Sequence, residues 1–168
     1  MTQADIARIV EKGNVGEEKI VTWFMENGIN FFQLKQSLET FAPLFSKGIK
    51  RPDFVVIIES IGLIAVDAKN CKMSGGCFTI SEDEVQKAIA FEMVTRMAFW
   101  FAYLHETPEG ATWYWISALN ILGVGTRRIN STTNQDFFAI NLSEFTAMRE
   151  HGDIGKLLYT QRLRSCPK

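Results

Sequence analysis

Apolar and polar positions recur with two different periods along this chain, and together they predict its elements. Residues 3–12 place apolar side chains at helical spacing and predict a short helix ending at Gly13. Residues 15–27 predict a second helix. Val15, Ile20, Trp23 and Phe24, with Met25, supply its apolar face, and Asn27-Gly28 supplies the stop. Residues 29–34 predict a short strand. A polar connection over 35–52 follows, with Pro43, Gly48 and Pro52 and the bases Lys47, Lys50 and Arg51.

The strongest β signal comes next. Phe54–Ile58 and residues 63–66 are apolar runs rich in β-branched side chains, separated by Glu59-Ser60-Ile61-Gly62, which predicts a hairpin. Residues 70–79 predict a loop around Gly75-Gly76. Ser81-Glu-Asp-Glu84 has the form of a capping box, and it predicts a long helix over 82–104, broken by Thr107-Pro-Glu-Gly110. The aromatic-rich end of that helix, 99–104, implies deep burial or a homodimer interface, with His105 at its C-terminus. Residues 112–119 and 137–140 predict further strands, Gly123-Val-Gly125 a plain loop, and the remainder short helices. This order gives an α/β layered domain around a central mixed sheet.

Composition narrows the picture. The chain has 168 residues, a length that suits one domain with its own core. Hydrophobic residues make up 46% and charged residues 22%, which excludes collagen, coiled coil and global disorder. Eighteen basic residues against nineteen acidic ones give a net charge of −1, so any contact with phosphate must come from a local patch. Three cysteines, Cys71, Cys77 and Cys166, make no disulfide framework and suit a reducing cytoplasm. His105 and His151 lie far from them in sequence, so no zinc site is expected. The first residues are not a signal peptide, and 97–104 is far shorter than the roughly 20 apolar residues a membrane span needs. A soluble chain is expected.

Two acids stand where acids are least expected. Asp53 opens the first hairpin strand, and Asp67 interrupts the end of the second, followed by Ala68-Lys69. Alternate residues of a strand share a face, so Asp67 and Lys69 point the same way. A hairpin centred on Ser60 sets Asp53 directly opposite Asp67, with Cβ atoms about 4.5–5.5 Å apart. Like charges so placed destabilise a sheet unless something binds them, and a hard divalent cation binds carboxylate and carbonyl oxygens.

Pro52-Asp53, thirteen intervening residues and then Asp67-Ala68-Lys69 resembles the signature of the PD-(D/E)xK nuclease superfamily, which includes restriction endonucleases and archaeal-type Holliday-junction resolvases. Gly16-Glu17 resembles the pair that opens the first core helix of many members, and Gln86 falls in the later helix where several members carry a site glutamine. The likeness covers roughly residues 13–104. It implies an α/β restriction endonuclease-like core, a central mixed β-sheet flanked by helices, in a single domain over 1–168 with a motif-bearing core at about 13–120. It implies metal ligation by Asp53, Asp67 and the Ala68 carbonyl, with Glu17 as the helix acid and Glu18 as its rival. Glu17 is preferred because Ile20 and Phe24 then share its face. Lys69 would position the attacking water and stabilise phosphate charge, with Gln86 in the same site.

The implied cofactor is Mg²⁺ or Mn²⁺, and the implied partner is nucleic acid, DNA rather than RNA, with a homodimer left open. Lys47, Lys50, Arg51 and Lys72 flank the acids and could hold phosphates. Two rival readings are a non-catalytic nucleic-acid-binding or scaffolding subunit of a repair or restriction complex with the same fold, and an unrelated α/β domain whose acids lie apart.

Overall fold

Where the sequence predicts two helices, a single helix α1 (Gln3–Glu26) runs unbroken through Gly13. A lone glycine costs a helix only about 1 kcal/mol, and the later turns of α1 bury Ile20, Trp23 and Phe24. This computed structural model describes residues 3–34, 45, 48–59, 62–108 and 110–157. Pro43 and Lys47 of the connection, Ser60 and Ile61 of the hairpin turn, and Cys166 lie outside the described residues.

After α1 come strands β1 (Asn30–Gln33), β2 (Phe54–Ile58), β3 (Gly62–Lys69) and β4 (Cys77–Ser81). Helix α2 (Glu82–Thr95), strands β5 (Phe99–Thr107) and β6 (Gly110–Ser117) and helix α3 (Ala118–Val124) follow. Strands β7 (Thr126–Ile129), β8 (Asp136–Asn141) and β9 (Thr146–Met148) close the order, with 3-10 turns at Leu142–Glu144 and His151–Lys156.

Two sheets result. The larger has the order β1-β2-β3-β5-β6-β9, in which β3 and β5 are parallel and every other pair antiparallel. The smaller has the order β4-β8-β7. The large mixed sheet separates two cores. On one face α1 packs Ile20, Trp23 and Phe24 against Phe54, Val56, Ile64, Val66 and Trp115. The Phe24 ring lies 5.0 Å from Phe31 and 5.7 Å from Phe54, distances at which aromatic pairs add to simple burial. On the other face α2, α3 and the small sheet cover Ala65, Phe99, Phe101, Tyr103 and Ile116.

Three expectations are corrected here. The helix over 82–104 stops at Thr95. Arg96 adopts a left-handed conformation, φ 60°, and its N–H donates to the Glu92 carbonyl. The chain then turns into β5, whose first N–H, that of Phe99, donates to Glu92 Oε1 at 2.7 Å. Residues 99–104 are apolar all round because the strand is interior and buried on both faces, which erases the period-two signal and imitates a buried helix. They form an internal strand, so the reading of 99–104 as the aromatic-rich end of a helix is withdrawn, and His105 lies on β5 rather than at a helix C-terminus. Second, residues 77–79, read as loop, begin β4. Third, the C-terminal third holds β7 and β9 besides its short 3-10 turns.

Candidate active site

The hairpin pairs with the register its sequence implies: Phe54 stands opposite Val66 and Ile58 opposite Gly62. One step further out, the Asp53 N–H donates to the Val66 carbonyl at 3.0 Å, so Asp53 continues the ladder toward Asp67. Its Oδ2 accepts the Ala68 N–H at 2.9 Å, which fixes the carboxylate at the end of β3. Ile64 and Val66 face α1, so Asp67 shares with Ala65 the opposite face, where it is 3% exposed.

A buried carboxylate needs partners. Lys69 Nζ lies 2.7 Å from Asp67 Oδ2, and Lys50 Nζ lies 2.9 Å from Oδ1. Each carboxylate oxygen of Asp67 thus faces one ammonium group. Both lysines also donate to a third residue, Glu84 Oε1, at 3.1 Å from Lys50 and 2.5 Å from Lys69. Lys69 also lies 5.8 Å from the centre of the Phe101 ring. Lys50 reaches this position because its own N–H donates to the Lys87 carbonyl of α2 at 3.0 Å.

Glu17 comes from α1. Its carboxylate accepts from Gln33 of β1 at 3.5 Å, and it is half-buried, whereas Glu18 is exposed. Gly16 makes this approach: a Cβ there would sit 2.9 Å from the Cβ of Asn70, so the helix meets the end of β3 only through a residue without a side chain.

The electrostatics join these groups. Burial, then the charges of Asp67 and Glu17, push the Asp53 carboxyl up to about 7, against the pull of the Ala68 N–H and Lys50. Burial also raises Glu17, and the Asp67 charge adds to it, although Gln33 works the other way. Burial opposes ionisation of Glu84 as well, but Lys69 and Lys50 outweigh it and hold the carboxyl down to about 2. For Lys69 the balance is similar: burial disfavours the ammonium, and Asp67 and Glu84 together raise it above the usual lysine range.

Asp53, Asp67, Lys69 and Glu17 therefore fall in one neighbourhood, and Gln86 does not join them. It is exposed, its amide donates to Glu82 at 3.1 Å, and it lines, with Arg127, a cleft that adjoins the one lined by Glu84 along Ser81, Gln135 and Asp136. Glu84 holds the place on α2 nearest the acids. Its carboxylate was hidden in the sequence by its role in the helix start, where the Ser81 hydroxyl caps the Glu84 N–H. The available signal was its face: Ala88 and Phe91, four and seven residues on, are buried. Glu84 also lines a cleft of about 340 Å³ between β4 and residues 130–137, walled by Thr79, Ser81, Asn130 and Gln135.

Among the described residues, no three His, Cys, Asp or Glu side chains converge tightly enough to hold an ion as they stand. The donor chemistry nevertheless suits a hard divalent cation. All candidate donors are oxygens, and burial beside the Asp67 charge pushes the Asp53 carboxyl up, a penalty that a bound cation would relieve. Four carboxyls share the neighbourhood with two ammonium groups, and one divalent cation would balance them.

No protein-family model matches the chain, and no curated protein matches it in sequence. Fourteen solved chains match it in structure. One is Hjc of Archaeoglobus fulgidus, a Holliday junction resolvase from an archaeal hyperthermophile. It is 16% identical, with a TM-score of 0.51 over 79% of this chain and 91% of that one. The likeness is one of fold, and it is the α/β fold with a mixed central sheet that the Asp53 and Asp67-Ala68-Lys69 pattern implies. Among the described residues no helix is long and apolar enough to cross a membrane.

Proposed function

We propose that this chain is a Mg²⁺- or Mn²⁺-dependent nuclease that hydrolyses phosphodiester bonds in DNA. The observation that carries the reading is the meeting of Asp53 and Asp67 at one strand end with Lys69 against Asp67, on a fold shared with a junction resolvase. Asp53, Asp67 and the Ala68 carbonyl would hold the cation, with Glu17 completing the set from α1. A divalent cation so bound supplies Lewis acidity toward the phosphoryl oxygens and lowers the pKa of water. Lys69 orients the attacking water and faces the charge that grows on the phosphate. The carboxylates of Glu84 and Asp67, with the Phe101 ring 5.8 Å away, keep that ammonium from wandering, so little reorganisation accompanies the reaction.

DNA is preferred to RNA because the structural neighbour is a Holliday junction resolvase. The test is incubation of the purified chain with linear, supercoiled and four-way-junction DNA, and with RNA, in Mg²⁺, Mn²⁺ or chelator. Cutting of at least one DNA in metal, and none in chelator or by Asp67→Ala, is expected. Failure to cut any substrate would overturn the reading.

A second reading, a non-catalytic DNA-binding or scaffolding subunit, is favoured by one observation: Lys50 and Lys69 already pair with the two oxygens of Asp67. It gives DNA binding without metal-dependent cutting in the same assay.

A further inference from the structure

Lys69 is the lysine that the strand motif supplies, and two carboxylates hold it. The ammonium of Lys69 lies 2.7 Å from Asp67 Oδ2 and donates a hydrogen bond to Glu84 Oε1. The same Glu84 oxygen takes a second hydrogen bond, from Lys50, whose ammonium touches the other oxygen of Asp67. Four charges thus form a closed ring in the order Asp67, Lys50, Glu84, Lys69. Both lysine side chains are largely shielded, 18% and 21% exposed, so these contacts are weakly screened by water. The ring draws on three separate parts of the chain: the segment before β2, the end of β3, and the first turn of α2.

We infer that Glu84 is the positioning residue of this centre, holding Lys50 and Lys69 as a matched pair of ammonium groups, and that Lys50 is a second lysine facing the phosphodiester. The inference rests on the nuclease reading and extends it to two residues outside the strand motif. If Asp67 turns to a cation, Glu84 still anchors both amines, because neither hydrogen bond depends on Asp67. The pair is then left beside the cation with nitrogen atoms that share one oxygen neighbour, a spacing suited to two oxygens of one phosphate. Glu84 can do this because the Ser81 hydroxyl engages only its N–H, at 3.2 Å, and its Oε2, at 3.4 Å, which leaves Oε1 to the two lysines. Neighbouring Glu82 is engaged elsewhere, with Arg127, and serves as the control.

The test has two arms on the full chain. In the first, the metal-free protein is acetylated with trace acetic anhydride and each lysine is followed by peptide mass spectrometry. Lys50 and Lys69 are expected to react at least fivefold faster in Glu84→Gln than in the parent, relative to Lys72 and Lys87. Glu82→Gln should leave them unchanged. Glu84→Asp, one methylene shorter but still charged at the helix start, covers the case in which Glu84→Gln fails to fold, and should give an intermediate rate. In the second arm, cleavage by Glu84→Gln should lose at least tenfold in kcat with KM within threefold, and Lys50→Ala should lose in both. Unchanged acetylation of Lys50 and Lys69 in both Glu84 variants would overturn the positioning role. Full cleavage by Lys50→Ala would overturn the second lysine. Should the parent cut no DNA, the nuclease reading falls while the acetylation arm still decides whether Glu84 holds the pair.

Discussion

Asp53 Oδ2 accepts the N–H of Ala68 across the hairpin at 2.9 Å, so one candidate ligand is tied to the backbone of the strand that carries the other. This bond places the Asp53 carboxylate beside Asp67 in spite of their repulsion. Asn in place of Asp53 keeps an oxygen for the Ala68 N–H and removes the charge. At pH 8 without metal, Asp53→Asn should therefore be more stable than the parent, by about 1–2 kcal/mol, because an ionised buried group no longer opposes folding. The same variant should lose Mn²⁺ binding. Thermal unfolding and Mn²⁺ titration read the two effects, and a variant both destabilised and still binding would contradict the assignment.

The pH dependence follows from the same group. The Asp53 carboxyl is raised from 3.8 to about 7, so between those values the folded chain binds a proton that the unfolded chain does not. Stability of the metal-free protein should thus fall as pH rises through this window, by up to about 4 kcal/mol from this group. Glu17, also raised, works in the same direction. Glu84 has the opposite sign, but its contribution is lost only as pH falls from about 4.5 toward about 2, below the window that matters. Because the cation requires the ionised carboxylate, Mn²⁺ affinity should climb with pH up to about 7, by roughly tenfold per unit if one proton is displaced. Unfolding curves at pH 5.5 and 8, each with and without Mn²⁺, should cross over: less stable at pH 8 without the ion, more stabilised by it.

Lys69→Ala separates binding from chemistry. In the proposed reaction the Lys69 ammonium faces charge that develops on the phosphate, so its loss lowers kcat much more than affinity. Cutting should fall by at least about a hundredfold, in the range seen for loss of one transition-state donor. DNA affinity should change by less than threefold. Circular dichroism should report an intact fold. Cutting at the parental rate would show that another group handles the water.

Gly16 gives a test of geometry alone. In a free helix Gly→Ala stabilises by about 1 kcal/mol. Here the new methyl would meet the Asn70 Cβ at 2.9 Å, an atom that cannot swing aside without its backbone. Overpacking of this kind costs roughly 1–3 kcal/mol, so the clash should win. Gly16→Ala should lower the melting temperature and, by lifting Glu17 away from the β3 end, weaken Mn²⁺ binding. A stabilised variant with unchanged Mn²⁺ affinity would show that α1 has room to move.

The hairpin was legible in the sequence because two apolar runs with a short separator admit few registers, and that register alone set Asp53 against Asp67. Glu17 was legible over Glu18 because Ile20 and Phe24 mark the inward face of α1. Residues 99–104 misled because burial on both faces of an inner strand removes alternation, and only Arg96, an ordinary residue at φ 60°, marks the break. Glu84 was obscured because it had a sufficient local explanation in the helix start. Lys50 was one of four bases expected to hold phosphate, and nothing local set it apart from Lys47, Arg51 and Lys72, since its place depends on a backbone bond to Lys87 across the fold. Gln86, expected in the site, sits two residues from Glu84, and on a helix that spacing points a side chain to a different face.

The interior position of β3 has a consequence for timescales. Its pairing with β2 ends at Val66, but its parallel pairing with β5 runs on through Asp67 and Lys69, so amide proton exchange there needs β3 and β5 to part. Glu17 belongs to a helix whose own hydrogen bonds are internal and which meets the sheet through side chains, so its turn can breathe while β3 stays shut. The candidate centre is therefore half rigid and half adjustable. An ion bridging the two halves would slow exchange most in the turn of α1 around Gly16 and Glu17, and hardly at all in the strand that holds the motif.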